Sequence, residues 1–262
     1  YTRIKKAFQL PPKLCIFGYL KLLRYLKPKF FMKNILICAL IIFSITLCKP
    51  KKESEKTEKI VSKPQIQLVK APSSPAYLDS ELNLSDINFT ATDTSYLINF
   101  NFDVKNYELG VITSDANERG IANSANGQHI HLILDNEPYS AHYDPMAQKN
   151  LPKGQYVALA FLSRSYHESV KNENSFIITT FDAESSKAFP YKFDEKGLHM
   201  FYSRPKGTYK GSDINNILLD FFLINVTLGP NGNKVRATIN DEVFMIDEWV
   251  PYYIQGLTPG IL

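Results

Sequence analysis

The fold is decided by the stretch Gly127-Gln128-His129-Ile130-His131-Leu132-Ile133-Leu134-Asp135. Its side chains have the spacing of a β-strand, in which neighbouring residues point to opposite faces. One face carries Ile130, Leu132 and Leu134, and the other carries His129, His131 and Ile133. At least one of these faces must belong to a protein core, so the stretch predicts a strand of a packed β-sheet.

A second stretch repeats this frame further along the chain. It reads Gly232-Asn233-Lys234-Val235-Arg236-Ala237-Thr238-Ile239-Asn240, and an Asn-Gly pair opens both stretches. Upstream of it, residues 217–229 line up with residues 97–110, and both segments end in Leu-Gly. Repetition of several elements in the same order indicates an internal duplication.

Most of the chain consists of short alternating segments with hardly any helical period, which is typical of an all-β protein. We predict two tandem antiparallel Ig-like β-sandwiches behind an N-terminal signal or anchor helix, the first over residues 65–183 and the second over residues 184–262. The first unit ends in two strong strand patterns, residues 155–162 and 176–181, that have no counterpart in the second. The second sandwich is therefore expected to be incomplete, as in a chain cut at its C-terminus.

Residues 32–48 have the layout of a secretory signal. A short basic segment precedes an apolar run over residues 35–47, which is shorter than the ~20 residues that span a bilayer. The run ends in Ile45-Thr46-Leu47-Cys48, which resembles a bacterial lipobox and makes Cys48 the predicted lipidation site; the alternative is an uncleaved membrane anchor. Residues 49–64 are charged and predict a flexible linker. We therefore expect a membrane-anchored lipoprotein of the cell envelope.

Residues 1–31 carry eight Lys or Arg and no Asp or Glu, and they precede a complete export signal. We interpret them as a non-native upstream extension; the alternative is a basic membrane-surface helix over residues 19–26. The rest of the protein has the opposite charge, because residues 60–262 carry sixteen basic and twenty-three acidic residues, a net of 16 − 23 = −7. An acidic body gives no electrostatic reason to bind nucleic acid.

The cysteines and the missing catalytic motifs argue against several kinds of chemistry. Cys15, Cys38 and Cys48 all lie at or before the predicted lipidation site, so the folded part is expected to have no disulfide, no cysteine metal ligand and no thiol nucleophile. The Gly-x-Ser-x-Gly, His-Glu-x-x-His and phosphate-loop signatures of common hydrolases are missing as well. We therefore expect a binding protein and not an enzyme.

Histidines are concentrated in the first unit. It holds four of the five in the chain: His129, His131, His142 and His167. A His-x-His pair on one face of a strand brings two imidazoles within reach of one cation, and neutral imidazole is a common ligand of Zn and Cu. The alternative is that His129 and His131 only cover a solvent face, because Lys234 and Arg236 occupy the equivalent positions of the second copy.

A basic loop over residues 203–211 precedes the second copy of the repeat. It carries Arg204, Lys206 and Lys210 among glycines, and backbone amides next to Arg and Lys suit an anion or phosphate. The alternative is a solvated connector without a ligand.

Two family resemblances follow from these motifs. The stretch 127–135, followed by Leu151-Pro152-Lys153-Gly154 and a long apolar strand, resembles a small His-rich bacterial β domain of unknown function whose core reads Gly-His-His-His-Leu, with Ile130 in place of the middle histidine. Residues 32–262 also resemble bacterial lipoproteins that are labelled phosphopeptide-binding. The resemblance implies a binding protein without catalytic residues.

Two functional hypotheses result. The first is an exported, lipid-anchored cell-envelope protein that binds a partner through its β-sandwich modules. This partner is a peptide or phosphopeptide, a protein or a glycan. The second is a periplasmic Zn- or Cu-binding protein that uses the histidines of the first unit.

Overall fold

Antiparallel strands make up most of the part of the chain that the computed structural model describes, which is residues 65–184, 193–258 and 260. The strands are β1 (Gln67–Lys70), β2 (Glu81–Ala91), β3 (Tyr96–Lys105), β4 (His129–Leu134), β5 (Ser140–His142), β6 (Met146–Leu151), β7 (Gln155–Ser163), β8 (Phe176–Asp182), β9 (His199–Arg204), β10 (Ile217–Ile224), β11 (Val235–Ile239), β12 (Glu242–Ile246) and β13 (Tyr252–Gln255). Two 3₁₀ turns, Ala116–Glu118 and Gly211–Ile214, complete the elements. The predicted all-β class is confirmed.

The first sandwich consists of a sheet ordered β2-β3-β6 and a sheet ordered β5-β4-β7-β8. The two sheets face each other across a core in which Ile98 and Phe100 of β3 pack with Ile130 and Leu132 of β4 and with Leu162 of β7. All five side chains are almost completely buried. The alternation of apolar residues in β3 and β4 produces this core directly, because every second side chain points to the same face.

The second sandwich consists of a sheet ordered β1-β13-β10-β9 and a two-stranded sheet, β11-β12. Leu219 and Phe221 of β10 pack there with Val235 and Ala237 of β11. β11 alternates between buried and half-buried residues along its length, as expected for a strand with one covered face. β1 precedes the first sandwich in the chain but pairs with β13 of the second. The prediction placed residues 65–183 in the first sandwich, and β1 is the strand in which the structure differs from it.

The two sandwiches pack against each other through the β5-β4-β7-β8 sheet and the sheet that contains β9 and β10. The rings of Phe161 on β7 and Phe222 on β10 stack with centroids 4.9 Å apart. Leu159 and Ile224 belong to the same apolar cluster. The sheets therefore lie in four layers, and β4 is covered on both of its faces. We call the boundary between the two sandwiches the seam.

The strand orders of the two sandwiches agree with the predicted duplication. β9-β10-β13 repeats the order β2-β3-β6, and the pair β11-β12 repeats the pair β4-β5. β4 also pairs with β7, whereas the pairing described for β11 is with β12.

Some predictions fall on other parts of the chain. The upstream extension, the signal with Cys48 and the linker, residues 1–64, lie outside the described residues. The described residues include no helix with the length and apolarity needed to cross a bilayer.

Candidate metal centre

His129 and His131 lie side by side on the face of β4 that meets the seam. Both side chains are 0% exposed, and their ring centroids are 4.8 Å apart. Ser203 at the end of β9 covers them from the second sandwich, with its Oγ 3.3 Å from Nδ1 of His131. The alternative in which these histidines cover a solvent face is therefore wrong, because that face is buried by the second sandwich.

His167 joins the pair from the turn after β7. Its Nδ1 lies 3.0 Å from Nε2 of His129, and Nε2 of His129 lies 2.9 Å from Nε2 of His131. The ligand nitrogens of all three lie within 4.8 Å of one another. His167 has a φ of 68°, a left-handed conformation that few residues other than glycine adopt and that is often found at functional sites. We call His129, His131 and His167 the histidine cluster.

The orientation of His129 is fixed by a backbone carbonyl. Its Nδ1 lies 2.8 Å from the carbonyl oxygen of Gly127. A carbonyl only accepts hydrogen bonds, so Nδ1 carries the proton and Nε2 presents a lone pair to the other two histidines. Such a hydrogen bond on the outer nitrogen is the usual way in which proteins orient a metal-binding histidine.

The cluster is electrically neutral near pH 7. Burial lowers the pKa of His129 to about 4 and that of His167 to about 2. Burial, together with the neighbouring histidines and two cationic side chains, also holds the pKa of His131 well below its usual range. Neutral imidazole is the form that binds a metal, so the ligands require no deprotonation at neutral pH.

The nitrogen separations are close to those of a metal site. Bonds of about 2.0–2.1 Å to tetrahedral zinc place ligand nitrogens roughly 3.3 Å apart. The two separations from His129, 2.9 and 3.0 Å, are a few tenths of an ångström shorter than this, and all the ligand nitrogens lie within 4.8 Å of one another, so the rings must move to place all three nitrogens around one ion. The cluster can thus provide three ligands of a tetrahedral site.

The fourth predicted histidine does not join the cluster. His142 on β5 is paired with Ile130 on β4, and directly paired residues of antiparallel strands point to the same face. His142 therefore shares the face of Ile130, opposite to that of His129 and His131. Its Nε2 lies 2.8 Å from Oγ of Ser140.

Two residues of the predicted basic loop lie next to the cluster. Tyr139 connects them to it, because its ring stacks on His131 with centroids 3.6 Å apart. The Arg204 guanidinium carbon lies 5.5 Å from the Tyr139 ring centroid, and Lys206 Nζ lies 4.1 Å from the same centroid. Lys206 also donates a hydrogen bond of 2.5 Å to the Tyr139 carbonyl. Lys210 takes no part in these contacts and lies exposed at the start of a 3₁₀ turn.

Sequence reasoning missed several residues of the site. Tyr139 and Ser203 come from separate elements, and no spacing connects them to His129 or His131. Tyr139 also places its hydroxyl 3.3 Å from Nδ1 of His167. Only Gly127 had a usable signal, because the Asn-Gly pair marks a turn immediately before β4.

Gly127→Ala is expected to lower the free energy of unfolding by about 2 kcal/mol, because the added Cβ strains the left-handed backbone and clashes with neighbouring backbone atoms. Gly127 has a φ of 84°, and a Cβ there would lie 2.5 Å from the Gly110 carbonyl carbon and 2.5 Å from the Val111 oxygen. Gly110→Ala is the matched control, since its φ is 79° and a Cβ there meets nothing within 4 Å. Urea denaturation measures the free energy of unfolding of both variants. An equal loss of stability in Gly127→Ala and Gly110→Ala would contradict the close approach of the backbone at Gly127.

Comparison with known proteins assigns no family to this arrangement. No protein-family model matches the chain, and no curated protein or solved structure matches it.

Proposed function

We propose that the protein binds a transition-metal ion, Zn or Cu, through His129, His131 and His167. The observation that carries the proposal is the convergence of three neutral, inward-facing imidazoles, one of them already oriented by the Gly127 carbonyl. Nitrogen-rich sites of this kind suit Zn and Cu better than Mg or Ca, which prefer oxygen ligands.

Two nitrogens of the cluster face the same lone pair of His129. Nε2 of His129 has a single lone pair, because its Nδ1 holds the proton, yet nitrogens of two other histidines lie 2.9 and 3.0 Å from it. One lone pair accepts only one good hydrogen bond. A metal ion among the three nitrogens would use one lone pair from each ring, which accounts for their convergence better than a purely structural role.

Calorimetric titration with Zn²⁺ and Cu²⁺ tests the proposal. We expect His129→Gln/His167→Gln to bind the preferred ion more than about 100-fold more weakly than the wild type, because two of three ligands are lost. His142→Gln is the matched control, since His142 lies on the neighbouring strand but outside the cluster. The proposal fails if wild type and double variant bind both ions with the same affinity.

The cellular location of the protein is part of the proposal. The signal pattern of residues 32–48 and the predicted lipidation of Cys48 support an exported, membrane-anchored protein of the cell envelope. There the chain would act as a periplasmic or surface metal-binding protein. Mass spectrometry of the native membrane-bound protein checks for the lipid on Cys48.

Recognition of a peptide, phosphopeptide, protein or glycan stays a prediction. What supports it is the packing of antiparallel sheets into sandwiches, an architecture common among binding modules, and the exposed Lys206 beside the cluster. The Ig-like classification of the sandwiches is also a prediction. Pull-down of the protein with phosphorylated and plain peptides tests the peptide hypothesis.

A further inference from the structure

A metal ion in the histidine cluster would enter an environment that is already positive. Arg204 and Lys206 lie 5.5 and 4.1 Å from the centroid of the Tyr139 ring, and that ring stacks on His131. Neutral imidazoles bring no negative charge to compensate for a divalent ion. Burying several positive charges without a counterion is costly.

The buried carboxylates described nearby do not supply that counterion, because each has a cation of its own. Asp220 accepts a hydrogen bond of 2.6 Å from Lys171. Glu168, which follows His167 in the chain, forms an ion pair of 3.1 Å with Arg164. No carboxylate among the described residues belongs to the histidine cluster.

Arg204 also has a donor without an acceptor. The residue is 7% exposed, and one terminal nitrogen, Nη1, donates to the Lys206 carbonyl and to the Tyr209 hydroxyl. Its Nε is buried and has no hydrogen-bond partner among the described residues. A buried N–H without an acceptor is rare in native proteins, so this donor is available to an oxygen ligand that the described residues do not supply.

We propose that the bound metal ion carries an anionic oxygen ligand, a carboxylate or a phosphate, on the coordination position that the three histidines leave open, and that Arg204 and Lys206 hold this anion. The inference rests on the proposed metal binding. Three protein ligands with one open position are the usual arrangement where zinc accepts an exogenous ligand. His167 is partly exposed and Lys206 is exposed, which marks the side from which the anion enters.

Cobalt-loaded protein provides the test, because the visible spectrum of Co²⁺ responds to a change in its ligands. We expect acetate, inorganic phosphate or both to change the spectrum saturably. A response to acetate alone identifies a carboxylate ligand, and a response to phosphate alone identifies a phosphate ligand. In Lys206→Met the affinity for the anion should fall by about tenfold, since one charge is lost. Lys210→Met is the matched control, and its affinity should equal that of the wild type.

The outcomes separate this inference from the proposed function. Co²⁺ binding with a spectrum that neither anion alters would overturn the anion site and leave metal binding intact. An anion affinity that is equal in wild type and Lys206→Met would also overturn it, as would equal binding of the anion to metal-free protein. Failure of Co²⁺, Zn²⁺ and Cu²⁺ to bind at all would overturn both proposals together.

Discussion

Asp220→Ala is expected to lower the free energy of unfolding by about 3 kcal/mol, because it leaves the ammonium group of Lys171, whose side chain is only 16% exposed, without its counterion. Asp220 on β10 is 1% exposed. Its carboxylate accepts hydrogen bonds from Lys171 Nζ at 2.6 Å and from Ser169 Oγ at 3.0 Å. Lys171 and Ser169 belong to the first sandwich, so the variant removes a polar connection across the seam.

An exposed ion pair gives the matched control for Asp220. Lys153 and Glu184 are 2.5 Å apart, but their side chains are 67% and 47% exposed. Surface pairs of this kind contribute less than about 1 kcal/mol, so Glu184→Ala should have a small effect. Urea denaturation at neutral pH compares the two variants. A loss for Asp220→Ala as small as that for Glu184→Ala would contradict the structural role of the buried pair.

Metal-free protein is expected to lose stability as the pH falls from about 6.5 to 4. The pKa of His129 is lowered to about 4 in the folded protein, against about 6.5 for an unfolded chain. Below pH 6.5 the unfolded chain therefore binds protons that the folded protein does not, and the folded state is disfavoured. The stability is fully present above pH 6.5, and His129 alone accounts for a loss of about 3 kcal/mol by pH 4.

Other groups add to this pH dependence or oppose it. The lowered pKa values of His131 and His167 act in the same direction as that of His129. Burial raises the pKa of Glu168, which acts in the opposite direction, because a protonated carboxyl is favoured in the folded state at low pH. Comparing the pH dependence of stability in the wild type and in His129→Gln/His167→Gln separates the contribution of these two histidines from that of the other groups.

Urea denaturation at several pH values in the presence of a chelator measures the effect. The double variant should lose less stability than the wild type between pH 6.5 and 4. An equal loss in both proteins would show that the cluster is not buried in its neutral form.

The sequence predicted the elements that depend on local periodicity. The alternation of residues 127–135 predicted β4, and the repeat of its frame predicted β11 in a comparable place. The His-x-His spacing also predicted that His129 and His131 lie side by side, because positions two apart on a strand share a face. The structure confirms this.

The rest of the site depends on contacts between distant parts of the chain. A polar face of a strand has the same alternation whether water or another sheet covers it, so the burial of His131 had no local signal. His167 reaches the cluster through a left-handed turn. His142 misses it because the β4–β5 register places it opposite Ile130. Arg204 looked like a loop cation and is the buried last residue of β9.

The covering of β4 on both faces has a kinetic consequence. Imidazole ligands of an exposed site exchange their ion at a rate set by coordination chemistry. His129 and His131 are 0% exposed and only His167 is partly exposed, so an ion must break its bonds to both buried ligands before it departs, and a local separation of the two layers of sheet would favour this. Residence time would then follow the frequency of that opening, and a substitution far from the imidazoles, such as one at Phe222, would shorten it without changing a single ligand.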